Sequence, residues 1–366
     1  MKFKVAKEQM NSALAQVQAV INPKNPLPLL QNVLVEAKAG KLDFRATDMD
    51  MTLCTTIDAD IEEEGVTTMP SKRLLVIFKE LNGDVADVAV TDEHKAFIKA
   101  GAASFRLHGM SSEDYPALPE LGDDVNAFTL PQATLKTMLR RVSYAAMDDA
   151  SRPILSSVLL SYADGTLAAV ATDSRRLALV ETPLDDGPAA TVDLIIPLKA
   201  VNELLRILGD DGTVSIKASA RQAIFSFGPV TLVTKLMEGK YPNFRQVIPH
   251  RDNAFRVNVN REEFLSALRR TSQLVIDKIS GINLNISADK VEIVAQEAEI
   301  GEGRDVIAAR YEGNDLSISF NPAFLMDALK VLTEDEVYLE LVDDMSPGIM
   351  GCASSFKYVI MPIRLN

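Results

Sequence analysis

The chain has 366 residues, room for two or three domains, and its 47% hydrophobic and 24% charged residues fit a globular protein that buries real cores. It contains no run of about 18 apolar residues, which argues against a membrane span. Its net charge of −13, from 38 basic and 51 acidic residues, argues against a surface that is positive throughout, so any nucleic-acid contact needs a local basic patch.

In chain order, the opening Met1-Lys2-Phe3-Lys4-Val5 alternates polar and apolar like a strand, and no signal-peptide stretch follows it. Met10, Ala13, Leu14 and Val17 then recur at i, i+3, i+4 and i+7, the spacing of one buried helical face. A strand over Leu30–Val35, a turn at Ala39-Gly40-Lys41 and a return strand Leu42-Asp43-Phe44 predict a hairpin, followed by Ala46-Thr47-Asp48. After Pro70-Ser71, a second helix carries Leu74, Ile77, Phe78 and Leu81, and the stretch closes at Tyr115-Pro116.

The same order returns twice. Phe128-Thr129-Leu130 precedes a helix with Leu135, Met138, Leu139 and Val142. The hairpin Leu155–Leu160, Asp164-Gly165, Leu167–Val170 leads into Ala171-Thr172-Asp173. A helix with Val201, Leu204, Leu205 and Leu208 follows Pro197, and Tyr241-Pro242 closes the copy. Val257-Asn258-Val259 opens the third copy, with Phe264, Ala267, Leu268 and the more polar Thr271 on its helix. Its hairpin joins Ile282–Ile286 to Val291–Val294, Ala295-Gln296-Glu297 stands where the Thr-Asp pair stood, and Asn321-Pro322 predicts the cap of a helix with Leu325, Ala328, Leu329 and Leu332. The expected fold is therefore α+β: three tandem copies of a two-helix, antiparallel-sheet domain, over 1–124, 125–253 and 254–366, with linkers near Glu113–Asn126 and Ile248–Asn253.

The basic residues concentrate in helices. The first helices carry Lys7, Lys136, Arg140, Arg141, Arg261, Arg269, Arg270 and Lys278, and the second carry Lys72, Arg73, Lys79, Lys199, Arg206 and Lys330. Acids there are fewer, and the excess lies in strands and loops such as Asp58–Glu64. A basic helical layer in an acidic chain predicts weak, salt-dependent contact with phosphates and no base readout. Few aromatics sit in these helices, which favours duplex over single strands.

Catalytic chemistry has no foothold. His94, His108 and His250 have no neighbours at metal-ligand spacing, and Gly209-Asp210-Asp211-Gly212 reads as a turn rather than a phosphate loop. Cys54 and Cys352 form no CxxC pair and read as reduced thiols of a cytoplasmic protein. Asp48 and Asp50 alternate with methionines, as on the polar face of a strand, and Asp173 beside Arg175 and Arg176 reads as an ion-pair cluster. A metal-dependent nuclease using Asp48, Asp50 and Asp173 is the competing reading, and a monomeric peptide-binding scaffold is a second.

The order Leu27-Pro28-Leu29-Leu30, Ala46-Thr47-Asp48, Arg152-Pro153-Ile154-Leu155, Ala171-Thr172-Asp173-Ser174-Arg175-Arg176-Leu177-Ala178, Tyr241-Pro242-Asn243-Phe244-Arg245 and Met361-Pro362-Ile363-Arg364-Leu365 closely resembles the bacterial DNA polymerase III β subunits, the sliding clamps. The resemblance runs the length of the chain. It implies the DNA clamp fold, a head-to-tail dimer closed into a ring with helices lining the pore, and no catalysis, cofactor or metal. It also implies as partners double-stranded DNA bound without sequence preference, a replicative DNA polymerase and other clamp-binding proteins, and a clamp loader.

By resemblance, a peptide pocket would involve Leu155, Thr172, Leu177, Pro242, Val247, Val359, Ile360, Met361 and Pro362. Arg152, Ser174, Arg175, Asn321, Phe324, Ser346, Ile363 and Arg364 would surround it. Lys24, Arg73 and Lys199 match DNA-approaching positions and join Lys136, Arg140, Arg141, Arg206, Arg269 and Arg270. Dimer contacts would involve Phe105 and Leu107 of one subunit and Leu274 of the other. The sequence departs from the family at Ser174-Arg175, where Gly-His is usual, and at Pro153-Ile154, where an aromatic pair is common.

Overall fold

The apolar spacings form helices in a computed structural model that describes the chain except for residues 119–120, 122–124, 150, 186, 189, 250–253, 276–280, 298 and 364–366. Helices α1 (Lys7–Gln18), α3 (Gln132–Val142) and α6 (Arg261–Thr271) bury all twelve residues named for the first helices. The polar Thr271 joins that face by donating its hydroxyl to Ala267 O at 2.9 Å. The second helices are α2 (Ser71–Glu80), α4 (Leu198–Ile207) and α7 (Pro322–Val331), and a single turn, α5 (Phe244–Val247), precedes α6. Two positions differ from expectation: Ile77 and Leu205 are only half-buried, and Leu75 is buried instead on α2. A buried helical stripe is about 100° wide, so either flank can turn inward.

Strands run directly into helices, and the junctions share one device. At the start of α1, α3 and α6 the first backbone N–H donates to the loop after the second helix: Lys7 to Asp84 O (2.8 Å), Gln132 to Gly212 O (3.0 Å) and Arg261 to Asp335 O (2.9 Å). The same three side chains reach back too, Lys7 Nζ to Leu81 O, Gln132 Nε2 to Asp211 O and Arg261 to Glu334 O and Leu329 O. Groups left unpaired at two helix ends are thus paired with each other's loops. Lys7 and Arg261, counted above in the basic helical layer, are structural ties. Asn321 caps α7 as expected, accepting from Ala323 N at 2.9 Å, and Asn260 caps α6.

The chain forms two compact units, Met1–Thr134 with Asn202–Leu236, and Leu135–Val201 with Met237–Asn366. In the first, one sheet orders Asp60–Glu63, Lys2–Ala6, Val85–Val90, Lys95–Ala100 and Ala103–His108. A second orders Asn126–Pro131, Thr213–Ala218, Gln222–Phe227, Val230–Lys235, Met51–Asp58, Lys41–Thr47, Asn32–Lys38 and Gly65–Pro70. Helix α1 packs on α2 and on this second sheet.

The other unit holds a sheet of twelve strands. It runs Val192–Pro197, Ser157–Ala163, Thr166–Thr172, Arg176–Pro183, Phe356–Ile360, Gly348–Gly351 and Glu336–Leu341, then Phe255–Asn260, Gly301–Tyr311, Lys290–Glu297, Ile282–Ser287 and Leu316–Phe320. The sheets therefore do not respect the repeat. Middle-copy strands extend a first-copy sheet at Met51–Asp58/Val230–Lys235 and a third-copy sheet at Arg176–Pro183/Phe356–Ile360.

Other local differences have steric causes. The strands expected from Leu30 and Leu155 begin at Asn32 and Ser157, because Pro28–Gln31 form a 3₁₀ turn and 151–156 a series of turns. The hairpin turns expected at Ala39-Gly40 and Asp164-Gly165 have positive φ at both residues, as tight antiparallel turns require. Thr47–Met51 is not a strand face. It is the turn between Lys41–Thr47 and Met51–Asp58, with Met49 at φ 81°.

Arg261→Met removes the ties to Leu329 O in the last turn of α7 and to Glu334 O beyond it, and is expected to cost about 1–2 kcal/mol in urea denaturation. Lys330→Met, which removes only an exposed pair with Asp327 (3.3 Å), is expected to stay within about 0.5 kcal/mol.

Candidate functional site

The Thr-Asp motif builds the same turn twice. Asp48 Oδ1 accepts from the backbone N–H of Asp50 (3.0 Å) and Met51 (2.8 Å), and Asp173 Oδ1 from Arg175 (2.9 Å) and Arg176 (3.0 Å). Thr47 and Thr172 each donate a hydroxyl across the turn, to Met51 O and Arg176 O, and accept from the N–H of the left-handed residue between, Met49 or Ser174. The carboxylates of the nuclease reading are thereby committed. Asp48 and Asp173 are turn acceptors, Asp50 pairs with Lys235 at 3.0 Å, and Asp173 also pairs with Arg176 at 2.9 Å. Among the described residues, no group of three or more His, Cys, Asp or Glu could hold a metal ion.

In the second unit this turn delivers Leu177 to the seam with Phe356–Ile360, where Leu177 lies opposite Val359 and Arg176 opposite Ile360. Leu177 and Val359 enter a buried cluster with Val170, Ile195, Phe244 and Ile349, and Met237, Tyr241 and Ile248 pack against it. Apolar side chains stand exposed at the margins: Val247 is 47% and Met361 46% accessible, and Pro242 is exposed. The predicted pocket residues thus divide. Leu177, Val359 and Ile360 are buried core that forms a floor, and Thr172 is 8% accessible, while Leu155, Pro362 and Ile363 are half-buried. Met361 N donates to Arg175 O at 3.0 Å and Ile363 N to Ser319 O at 2.8 Å, fixing the last described segment on both sides. Arg364 lies outside the described residues.

On the other side of the Ser174 turn lies a cavity of about 1170 Å³. The structure brings Arg152, Ser174, Arg175, Asn321 and Phe324 together on its wall, with Tyr144, Met147, Val275 and Met326. Ser346 is not on that wall; it donates to Asp343 in a loop turn. Arg176, noted in the sequence only as part of an ion-pair cluster, is the hub. Its guanidinium bonds Asp173 Oδ2 and Asp327 Oδ2 (both 2.9 Å) and Tyr144 O (2.7 Å), and lies 4.4 Å from the centre of the Phe324 ring. Burial opposes its charge, but Tyr358, Asp327 and Asp173 outweigh that and hold it firmly protonated. The Arg-Asp adjacency was visible in sequence; Asp327, 151 positions away, was not.

The cations assigned to DNA also divide. Lys24, Arg73, Arg140, Lys199 and Arg269 are exposed, and Lys136 is half-buried. Arg270 pairs with Asp305 at 2.6 Å while remaining 62% accessible, so it can exchange that partner for a phosphate. Arg206 neutralises the buried Glu203 and donates to Gln16 O at 2.7 Å. Arg141 is a correction: it is buried, bonded to Glu334 (2.7 Å) and Ser354 (2.6 Å), and is a structural cation instead of a phosphate ligand. Lys278 lies outside the described residues.

Phe105, 38% accessible, and the half-buried Leu107 lie on Ala103–His108, the outermost strand of its sheet. Leu274 ends a 3₁₀ turn, and its side chain occupies the space where a Cβ on Gly303 would stand. Strand Gly301–Tyr311 pairs with Lys290–Glu297 along 301–308 but meets Phe255–Asn260 only from Ala309 onward, which leaves a second open edge. That edge has no signature in the sequence, because register is invisible in composition. No helix among the described residues is long and apolar enough to cross a membrane.

Comparison with known proteins covers the whole chain. Residues 1–119, 129–243 and 245–364 match the N-terminal, central and C-terminal domains of the DNA polymerase III beta subunit. A beta sliding clamp of Chlamydia muridarum is 34% identical over 366 residues, covering both chains completely, and one of Pseudomonas putida is 32% identical with the same coverage. Among solved structures, the DNA polymerase sliding clamp of Bacillus subtilis is similar with a TM-score of 0.95 at 28% identity, over all of both chains. A Pseudomonas aeruginosa sliding clamp bound to griselimycin gives 0.95 at 30%, again over all of both chains.

The Arg141–Glu334 pair makes a pH-dependent prediction. Burial would raise the Glu334 carboxyl, but backbone N–H groups and Arg141 bring it down to about 2. A lowered folded pKa stabilises above the unfolded value, about 4.3, and that contribution is lost as pH falls from there towards 2. Arg141→Ala is expected to cost about 2–3 kcal/mol at pH 7. In urea denaturation the gap to the parent protein should narrow at pH 3, where Glu334 in the variant is protonated.

Proposed function

The chain belongs to the DNA polymerase III beta subunit family, and on that premise we propose how its residues make it a sliding clamp. It is a non-catalytic processivity factor: it encircles duplex DNA without reading its sequence, and it tethers replicative and repair polymerases. Each subunit comprises three clamp domains of two helices and antiparallel strands, over 1–124, 125–253 and 254–366. Two subunits close head to tail in the cytoplasm, and a clamp loader opens the ring. What supports this reading most is the match of all three family domains in order along one chain.

The subunit contact joins two open edges. Ala103–His108 offers unpaired backbone beside Phe105 and Leu107, and 301–308 offers the same near Leu274. The first edge carries Arg106 and the second Glu302, Arg304 and Asp305; Arg304 pairs with Glu292 and Asp305 with Arg270, so Glu302 is the acid that Arg106 can meet. Exposed cations, Lys24, Arg73, Arg140, Lys199 and Arg269, with Lys136, Arg206 and Arg270, face phosphates across the pore. They act as weak, exchangeable contacts, since the ring itself supplies the hold. Clients dock by a short peptide whose apolar side chains cover Leu155, Leu177, Pro242, Val247, Val359, Met361 and Pro362. Thr172, Arg152, Ser174, Arg175, Asn321, Phe324, Ser346, Ile360, Ile363 and Arg364 shape and rim that cleft. An apolar cleft with a few polar groups gives both anchor and orientation.

Negative-stain electron microscopy of the purified protein is expected to show closed rings with a central hole, and Phe105→Arg to convert them to open single subunits. Compact particles without a hole at micromolar concentration would refute the ring. Met361→Glu with Pro362→Ser is expected to abolish polymerase binding in surface plasmon resonance while sedimentation still reports a dimer. Retention of polymerase binding would refute the cleft.

A further inference from the structure

The two Thr-Asp turns lie at equivalent seams, and their side chains differ in one respect. In the first unit, Lys235 N donates to Asp50 O at 2.9 Å; in the second, Met361 N donates to Arg175 O at 3.0 Å. The turns, the left-handed residue before them and the strand pairing after them coincide as well. Asp50 therefore corresponds to Arg175, and Lys235 to Met361. In the first unit the two side chains meet, Lys235 Nζ to Asp50 Oδ1 at 3.0 Å. The first seam thus measures what the turn position can reach: a charged group over the residue that leaves the partner strand.

At the second seam only half of such a pair is present. Arg175 is exposed, and its guanidinium has no partner among the described residues. Its neighbour Met361 is apolar and 46% accessible. Of the acids on the cavity wall, Asp173 and Asp327 hold Arg176 and Asp149 accepts from Ser151 N and Oγ at 2.8 Å, while the exposed Asp148 forms no ion pair with Arg175. Arg152, on the same cavity wall, is a second exposed cation.

We propose that Arg175 is a specificity-determining residue that selects client peptides carrying a carboxylate side chain over Met361, next to their apolar anchors. The proposal rests on the cleft reading above. The client supplies in trans the anion that Asp50 and Lys235 supply within the chain, with the charges reversed. A guanidinium accommodates a carboxylate in its fork, and at a half-exposed rim one such contact corresponds to about a five- to tenfold gain in affinity. Ser174, at φ 75°, and the two bonds from Asp173 fix the backbone from which Arg175 projects, so the cation is placed before the peptide arrives.

The test uses the full dimeric protein and a phage-displayed library of random heptapeptides. Selected sequences are expected to combine aliphatic or aromatic anchors with Asp or Glu at one fixed register. One selected peptide, fluorescein-labelled, is then compared with its Asp→Asn and Asp→Lys versions by anisotropy. The parent protein should prefer Asp over Asn about five- to tenfold, with the ratio shrinking as salt rises. Arg175→Ala should bring the ratio close to one, and Arg175→Glu should make the Lys peptide the better ligand. Ratios unchanged in both variants would overturn the role of Arg175 while leaving the cleft intact, provided Met361→Glu still abolishes binding. Equal binding of the selected peptide to Met361→Glu would overturn the cleft itself, and this proposal with it.

Discussion

A strand at the margin of a sheet leaves a row of backbone N–H and C=O groups that must find partners, and this chain is organised around where its margins go. Two are closed internally, at Met51–Asp58 against Val230–Lys235 and at Arg176–Pro183 against Phe356–Ile360. Both closures join strands from different copies of the repeat, which is why neither compact unit coincides with one copy. Among the margins that stay open are Ala103–His108 and 301–308. An isolated subunit with two such edges invites indiscriminate pairing. In the head-to-tail ring proposed above, each subunit contact would consume one of each.

The internal seams need a fixed register, and the Thr-Asp turn provides it. One carboxylate oxygen accepting two backbone N–H groups, with a threonine hydroxyl bridging the turn, lets the first residue of the outgoing strand start in only one position. A one-residue slip would turn Leu177 and Leu179 out of the buried cluster and onto the opposite face. The same rigidity makes the turn a platform for function. At one seam the platform's side chain is tied down by Lys235; at the other a tie is made by Arg176, one residue later, to Asp173 and Asp327. That tie anchors the wall of the cavity and leaves Arg175 outward.

The helices were legible because their period is local. The first-helix sets were buried without exception, since an amphipathic face needs only something apolar to cover it, whatever that proves to be. The strands were legible as segments and illegible as sheets. Nothing in Arg176–Pro183 names Phe356–Ile360 as its neighbour, and the core they share unites residues from Leu159 to Val359. For the same reason Arg141 was misread. A basic residue near a helix end looks solvated until Glu334, 193 positions away, is brought against it. Asp48 and Asp50 looked like a strand face because alternation is also what a tight turn between two strands produces. In the proposed cleft, the structure brings Leu177 and Val359 of two distant segments into one buried cluster. Composition could not separate floor from rim, because a buried valine and a half-exposed methionine read alike until burial is known.

The charge distribution follows from the same economy of contacts. Of the cations first assigned to DNA, Arg141 is consumed in the fold and Arg206 answers the buried Glu203. The exposed ones lie mostly on helices poor in acids, within a chain of net charge −13. Such a surface binds a phosphate backbone weakly, and weak binding suits a tether. A bond that held one phosphate would have to break at every step along the duplex, whereas a closed ring keeps DNA and polymerase at high effective concentration with no contact held for long. The fold keeps its buried ion ties, such as Arg176 with Asp173 and Asp327, at an internal seam, and the cations proposed to face DNA stay exposed and exchangeable.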